Sequence, residues 1–233
     1  GEELPGSRRD NLASEVELPF EFQYYGEQYN HIAISENGFI AMGEDMDLLK
    51  QYENFPLDMI INGSLGMIAP YWDDLKIRVG DANIYTFYDD DGHTFIIQWQ
   101  ELGFVNGGNG RVTFEVILFD PAYFPSVSGD GSFLIQYKTV PDPIRGASPY
   151  YFSAGICSPD GSTGINYAYM NDYPTASAPI ENQRALFYTT SAEAPRGKIY
   201  GTILDVETGQ AMPGAFILTS YGQEVFTNEQ GEY

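Results

Sequence analysis

Between Val16 and Tyr24 the chain alternates. Val16, Leu18, Phe20, Phe22 and Tyr24 are separated by Glu17, Pro19, Glu21 and Gln23. A period of two sends successive side chains to opposite faces, which predicts a strand with one buried face. Pro19 has no N–H to offer a neighbour, so the strand is expected at a sheet edge. Tyr25 and Gly26 turn the chain into a short strand at 32–34. Asn37-Gly38 follows, a pair that tolerates positive φ and marks a hairpin, with 39–42 as the return strand. Met46, Leu48, Leu49 and Tyr52 recur at helical spacing and predict the one short helix, over 44–54. Further strands are expected at 66–72, 83–88, 94–102, 111–119, 132–138, 151–158, 164–169 and 185–189. The turns between them are runs such as Asp-Asp-Asp-Gly at 89–92, Asn-Gly-Gly-Asn-Gly at 106–110 and Ser-Pro-Asp-Gly at 158–161. Many short strands divided by turn residues indicate a sandwich or barrel and not a βαβ fold.

Residues 1–15 are polar and aperiodic and read as an extended arm with no assignable core role. The main sandwich is expected over 16–190. At 191–196 small and polar residues suggest a linker, and a second unit occupies 197–233 with strands at 198–204, 215–220 and 224–227. The fold expected is therefore all-β: a large antiparallel β-sandwich followed by a partial small one. About three strands cannot cover both faces of a sandwich core, and an unpaired edge recruits another strand. Further strands of a parent chain, or a strand from a neighbouring copy, would complete the unit. The arm at 1–15 is the candidate donor, with Leu4 and Leu12 setting register.

Composition sharpens this picture. Of the 233 residues 43% are hydrophobic and 15% aromatic, ample for a core and unlike a disordered chain. With 33 acidic against 11 basic residues the formal charge is −22, which repels nucleic-acid phosphates and anionic lipid surfaces. No apolar run is long enough to cross a bilayer, and no signal peptide is visible. The single cysteine, Cys157, stands in an apolar stretch and reads as a small buried thiol.

Candidate chemistry is sparse. Asp73 and Asp74 after Trp72, and Asp89, Asp90 and Asp91 in a turn, could ligate Ca²⁺, which prefers carboxylate oxygens. The same residues serve equally as solvated turn caps, as does Asp160. The 89–92 run also lacks the remaining ligands of a calcium loop. Ca²⁺ apart, no cofactor is expected. Asn62 opens an Asn-Gly-Ser glycosylation triplet. His31 and His93, the only histidines, stand in no metal-binding spacing, and His-x-x-x-His, Cys-x-x-Cys and Gly-x-Ser-x-Gly patterns are absent. The Gly-rich run at 107–110 has no following lysine or helix, so it is no phosphate loop. Trp72 and Trp99 could stack sugars, but their apolar strands favour core packing.

Two stretches resemble known families. Phe22-Gln-Tyr-Tyr-Gly26, then Tyr29, then the 32–40 segment Ile-Ala-Ile-Ser-Glu-Asn-Gly-Phe-Ile look like the opening of a nidogen-like extracellular β-sandwich module. Ala69-Pro-Tyr-Trp-Asp-Asp-Leu75 and the strands at 95–99, 113–118, 133–137 and 154–161 follow in the order such modules show, over about 16–190. Gly201-Thr-Ile-Leu-Asp205, Thr208-Gly209, Pro213-Gly-Ala215 and the 227–233 stretch resemble a carboxypeptidase regulatory-like domain, a small transthyretin-like sandwich without catalytic residues. The resemblances imply a non-catalytic structural or binding module of a secreted or cell-surface multidomain protein. Three forms are open: a structural protein, with strand exchange into a filament; an accessory part of a secreted peptidase; and a carbohydrate-binding module. The partners implied are other domains of a parent chain or neighbouring copies, with no nucleic acid and no membrane insertion.

Overall fold

The computed structural model describes residues 1–4, 13–43, 52–58, 66–77, 82–105, 110–141, 151–190, 201–206, 208–218 and 224–233. The expected helix at 44–54 and the Asn62 triplet fall largely or wholly outside these residues; 52–54 are not helical. The chain forms two compact units, Gly1–Ala192 and Glu193–Tyr233.

Unit 1 is a two-sheet antiparallel sandwich. Its first sheet contains β1 (Glu2–Glu3), β6 (Leu75–Lys76), β7 (Asn83–Asp89), β8 (Thr94–Phe104), β9 (Val112–Phe119), β10 (Phe133–Thr139) and β13 (Ala185–Tyr188). Among the described residues the order is β1-β7-β8-β9-β10-β13, with β6 paired to β8. The second sheet contains β2 (Ala13–Tyr24), β3 (Glu27–Ser35), β4 (Phe39–Met42), β5 (Met67–Trp72), β11 (Ser153–Cys157) and β12 (Gly164–Ala168), in the order β12-β11-β5-β4-β3-β2. The strand carrying Pro19 is thus an edge strand. Its pairing with β3 breaks between Glu17 and Phe22, where a residue without an N–H costs no ladder bond.

Residues 1–4 are not a free arm. Glu2 and Glu3 pair with Thr86 and Tyr85, Leu4 donates its N–H to the Ile84 carbonyl at 3.0 Å, and the Leu4 side chain is buried. The core between the sheets is built from inward residues of both, including Phe22, Ile34, Ile68 and Phe152 on one side and Trp99, Phe114, Val116 and Ile135 on the other. Two side chains span it by hydrogen bond: Trp99 Nε1 donates to the Ser35 carbonyl at 2.9 Å, and the Tyr137 hydroxyl to the Pro70 carbonyl at 2.7 Å.

The two sheets differ in how their outer faces end. β4, β5 and β11 are buried at every position, the continuous apolar run of a strand covered on both sides. A second cluster, with Phe39, Leu57, Met67, Trp72 and Cys157, lies on the outer side of that sheet, and Phe55 packs its ring edge onto Trp72. The segment carrying Phe55 and Leu57 is pinned by Asn54, whose Nδ2 donates to the Trp72 carbonyl at 2.8 Å and to Ser153 Oγ at 2.9 Å. Gly164 permits the approach, since a Cβ there would stand 1.9 Å from the Leu57 carbonyl oxygen. β9 and β10 instead alternate buried and partly exposed positions, so the outer face of the first sheet meets solvent.

Unit 2 holds a two-stranded sheet, β14 (Phe216–Leu218) with β15 (Glu224–Phe226). Of the strand expected at 198–204, the described part makes only isolated bridges, Thr202 to Glu232 and Leu204 to Ala211. Leu204, Val206, Met212, Phe216 and Phe226 are exposed.

Candidate functional site

The Asn37–Gly38 hairpin does more than reverse the chain. Gly38, at φ 84°, lets the turn lie on β5: a Cβ would sit 1.9 Å from the Tyr71 carbonyl oxygen. Tyr71 N donates to the Gly38 carbonyl at 3.3 Å and Asp73 N to the Asn37 carbonyl at 3.2 Å, while Leu75 N reaches Asn37 Oδ1 at 3.1 Å. Glu36 accepts the Ile77 N–H. Ser35, Glu36, Asn37 and Asp73 are fully buried and Asp74 is 7% exposed. The Asp73 carboxylate accepts Asp74 N at 2.8 Å and Tyr151 N at 3.2 Å. It caps its turn, but it is not solvated as a surface cap would be. Burial, reinforced by the Asp74 charge and opposed by the two N–H bonds, raises the Asp73 carboxyl to about 7.

The other candidates are scattered. Asp89 caps its own turn through Gly92 N at 3.1 Å, and Asp90 and Asp91 face solvent. Asp160 accepts Ser158 Oγ at 2.7 Å and Ser162 N at 3.0 Å, which lowers its carboxyl to about 2. Among the described residues no three His, Cys, Asp or Glu gather as a metal group would require. His31, on β3, lies 4.0 Å from Glu15 on β2, whereas His93, in the β7–β8 turn, stacks on Tyr123 at 3.4 Å. Trp72 and Trp99 are fully buried, so neither offers a sugar platform. Cys157 is buried and takes the Met67 N–H at 3.4 Å.

What the sequence did not reveal is the open face of the first sheet, because cross-strand register decides which side chains meet there. Two rows cross it. Tyr85, Gln98, Glu115, Gln136 and Ala185 stand opposite one another on β7, β8, β9, β10 and β13. The next row is Phe87, Ile96, Ile117, Leu134 and Phe187. Gln98 Nε2 donates to Glu115 Oε2 at 3.3 Å, and burial raises the Glu115 carboxyl against that bond. Two grooves lie along the polar row, of about 420 Å³ and 380 Å³, and both are lined by Gln98 and Glu115. A cleft of about 700 Å³ opens at the sheet edge by Gly1, Glu2, Glu17 and Pro19, beside Thr86 and Tyr88.

The architecture is that of a two-sheet antiparallel β-sandwich with a small additional sheet. Residues 1–189 match the family model described as NIDO related, and the chain belongs to that family. It therefore carries a nidogen-related domain of extracellular type. No solved structure gives a significant match to it.

Proposed function

We propose that this chain is a non-catalytic binding and structural module of a secreted or cell-surface protein, with the outer face of the seven-stranded sheet as its contact surface. The observation that carries this reading is the asymmetry of the sandwich. One sheet is closed by Phe55 and Leu57, and the other presents Phe87 and Phe187, about half exposed, beside a row of amides. In support, the carboxylates of Asp73, Asp89 and Asp160 are engaged by backbone N–H groups, and of the two histidines His31 lies on the six-stranded sheet while His93 lies in the turn between β7 and β8 of the other. The test is a broad panel of peptidase and glycosidase substrates. No turnover is expected, and turnover abolished by His31→Ala or His93→Ala would overturn the reading.

Within it, the unit at Glu193–Tyr233 is a carboxypeptidase regulatory-like spacer, supported by its turns at Gly209, Gly214 and Gly231, all at positive φ. A full gene encoding a catalytic domain would make the chain an accessory part of a peptidase. Strand exchange into a filament is a second reading, favoured by the exposed Val206, Phe216 and Phe226. The arm is a poor donor at its start, since Glu2 to Leu4 already pair with β7. Deleting residues 1–15 should lower the mass measured by light scattering if the arm links copies, and an unchanged mass would remove this reading.

A further inference from the structure

The contact surface just described has a chemistry of its own. Its polar row presents Gln98, Glu115 and Gln136 on three adjacent strands. A planar amide carries donors and an acceptor side by side, and a carboxylate carries two acceptors. Such groups match neighbouring hydroxyls, each of which donates and accepts. Adjacent strands lie ~4.8 Å apart, close to the advance of a sugar chain per unit, so the row offers one polar group to each successive sugar. Beyond Tyr85 the row ends on Glu3 of β1, and Lys138 and Arg184 line the groove at the other side. The neighbouring row is apolar, with exposed rings at its ends, Phe87 at 49% and Phe187 at 57%. A pyranose is itself two-sided, with apolar C–H faces and a hydroxyl rim, and aromatic faces suit the former.

Charge narrows the occupant. The chain carries −22, and Glu115 stands at the centre of the row. An anionic polymer is disfavoured, because Arg184, one of the two cations at the groove, is already paired with Glu181 and Glu3 stands at the far end, and a second copy of the same acidic chain is disfavoured likewise. The grooves on either side of Gln98 and Glu115 total several hundred cubic ångströms and are open along the row, which suits a linear chain and not a compact ligand.

We propose that a neutral linear oligosaccharide binds along Tyr85, Gln98, Glu115 and Gln136, with Phe87 and the apolar row beneath its C–H faces. This inference rests on the binding-module reading above and names its ligand class. The experiment uses the full chain. It is applied to an array of glycans, and then titrated calorimetrically with neutral tetrasaccharides of glucose, N-acetylglucosamine, xylose and mannose and with a uronic-acid tetramer. At least one neutral chain should bind and the uronic-acid chain should not. Gln98→Ala and Gln136→Ala should each weaken binding by roughly three- to tenfold, the effect of one lost hydrogen bond. Gln28→Ala, on the other sheet, should change nothing, and the melting temperature of each variant guards against misfolding. Three results overturn the proposal: no neutral glycan retained, binding unaffected by both glutamine variants, or sedimentation showing self-association that Phe87→Ala or Phe187→Ala abolishes. None of these would touch the non-catalytic reading, which only turnover in the substrate panel overturns.

Discussion

Asp73 makes the stability of this sandwich depend on pH in an unusual direction. Its carboxyl rises from the ordinary 3.8 to about 7, chiefly through burial. Between those values the folded state holds a proton that the unfolded chain has released, so stability falls as pH rises. The contribution is complete below about pH 4 and is lost as pH passes through about 7. Some three pH units at ~1.4 kcal/mol each give an upper bound of roughly 4 kcal/mol, of which ~2.5 kcal/mol falls between pH 5 and pH 8. Asp73→Asn cannot titrate. Its amide also leaves either Asp74 N or Tyr151 N without an acceptor, a cost of ~1–3 kcal/mol. The variant should therefore start behind the native chain at pH 5 and draw level with it, or pass it, by pH 8. Urea titrations followed by tryptophan emission report unit 1 specifically, because both tryptophans, Trp72 and Trp99, are buried there. Comparing the two proteins at each pH cancels the contribution of the groups they share. A stability difference that stays constant from pH 5 to pH 8 would refute the argument.

Leu57→Ala, which empties a fully buried site on the outer side of the second sheet, should cost ~2–5 kcal/mol by thermal or urea unfolding. Gly164→Ala should cost as much, because its Cβ meets the Leu57 carbonyl, and the double variant should fall short of the sum of the two. Additivity would show that the two sites do not meet. Tyr137→Phe leaves the buried Pro70 carbonyl without its donor and should lower stability by ~1–2 kcal/mol; a change within error would mean another donor replaces it. Taken as a weak Ca²⁺ position, the Asp89, Asp90 and Asp91 turn predicts that Ca²⁺ near its dissociation constant adds ~0.4 kcal/mol, seen as a rise of a degree or two in Tm over chelator. Asp90→Asn with Asp91→Asn should remove that rise, and identical native curves with and without Ca²⁺ would discard the site.

The strands were legible because burial imposes its period on the sequence. Alternation in Val16 to Tyr24 marked a half-buried strand, and Pro19 marked its place at an edge. The unbroken apolar run Met67–Trp72 reflects a strand covered on both faces, although the covering segment, which carries the small apolar pair Phe55 and Leu57, shows no such signature. β3 begins at Glu27 and not at Ile32, because its first residues lie at the exposed end of an edge hairpin where polar side chains carry no pattern. β1 escaped notice since two residues have no period, and Leu4 was legible only as a candidate for pairing elsewhere. At the candidate site the residue types were readable but their depth was not. Ser35, Glu36 and Asn37 look like any polar turn, and only the landing of that turn on Tyr71 and Asp73 buries them. The Gln98, Glu115 and Gln136 row was likewise hidden, because register across three strands is a property of the sheet and not of any one segment.

The position of β5 bears on how fast this chain can fold. It sits between β4, its near neighbour in sequence, and β11, whose Ile156 pairs with Ile68 from far down the chain. The second sheet cannot be assembled until that distant strand arrives, and β13 likewise returns late to join β10. Contacts of such long range place folding on the slow side, in milliseconds to seconds for all-β topologies. During synthesis or export the unbroken apolar strand Met67–Trp72 stays open on one edge until Ser153–Cys157 has emerged. That interval is when the chain is most prone to pair with the wrong partner and has most need of a chaperone.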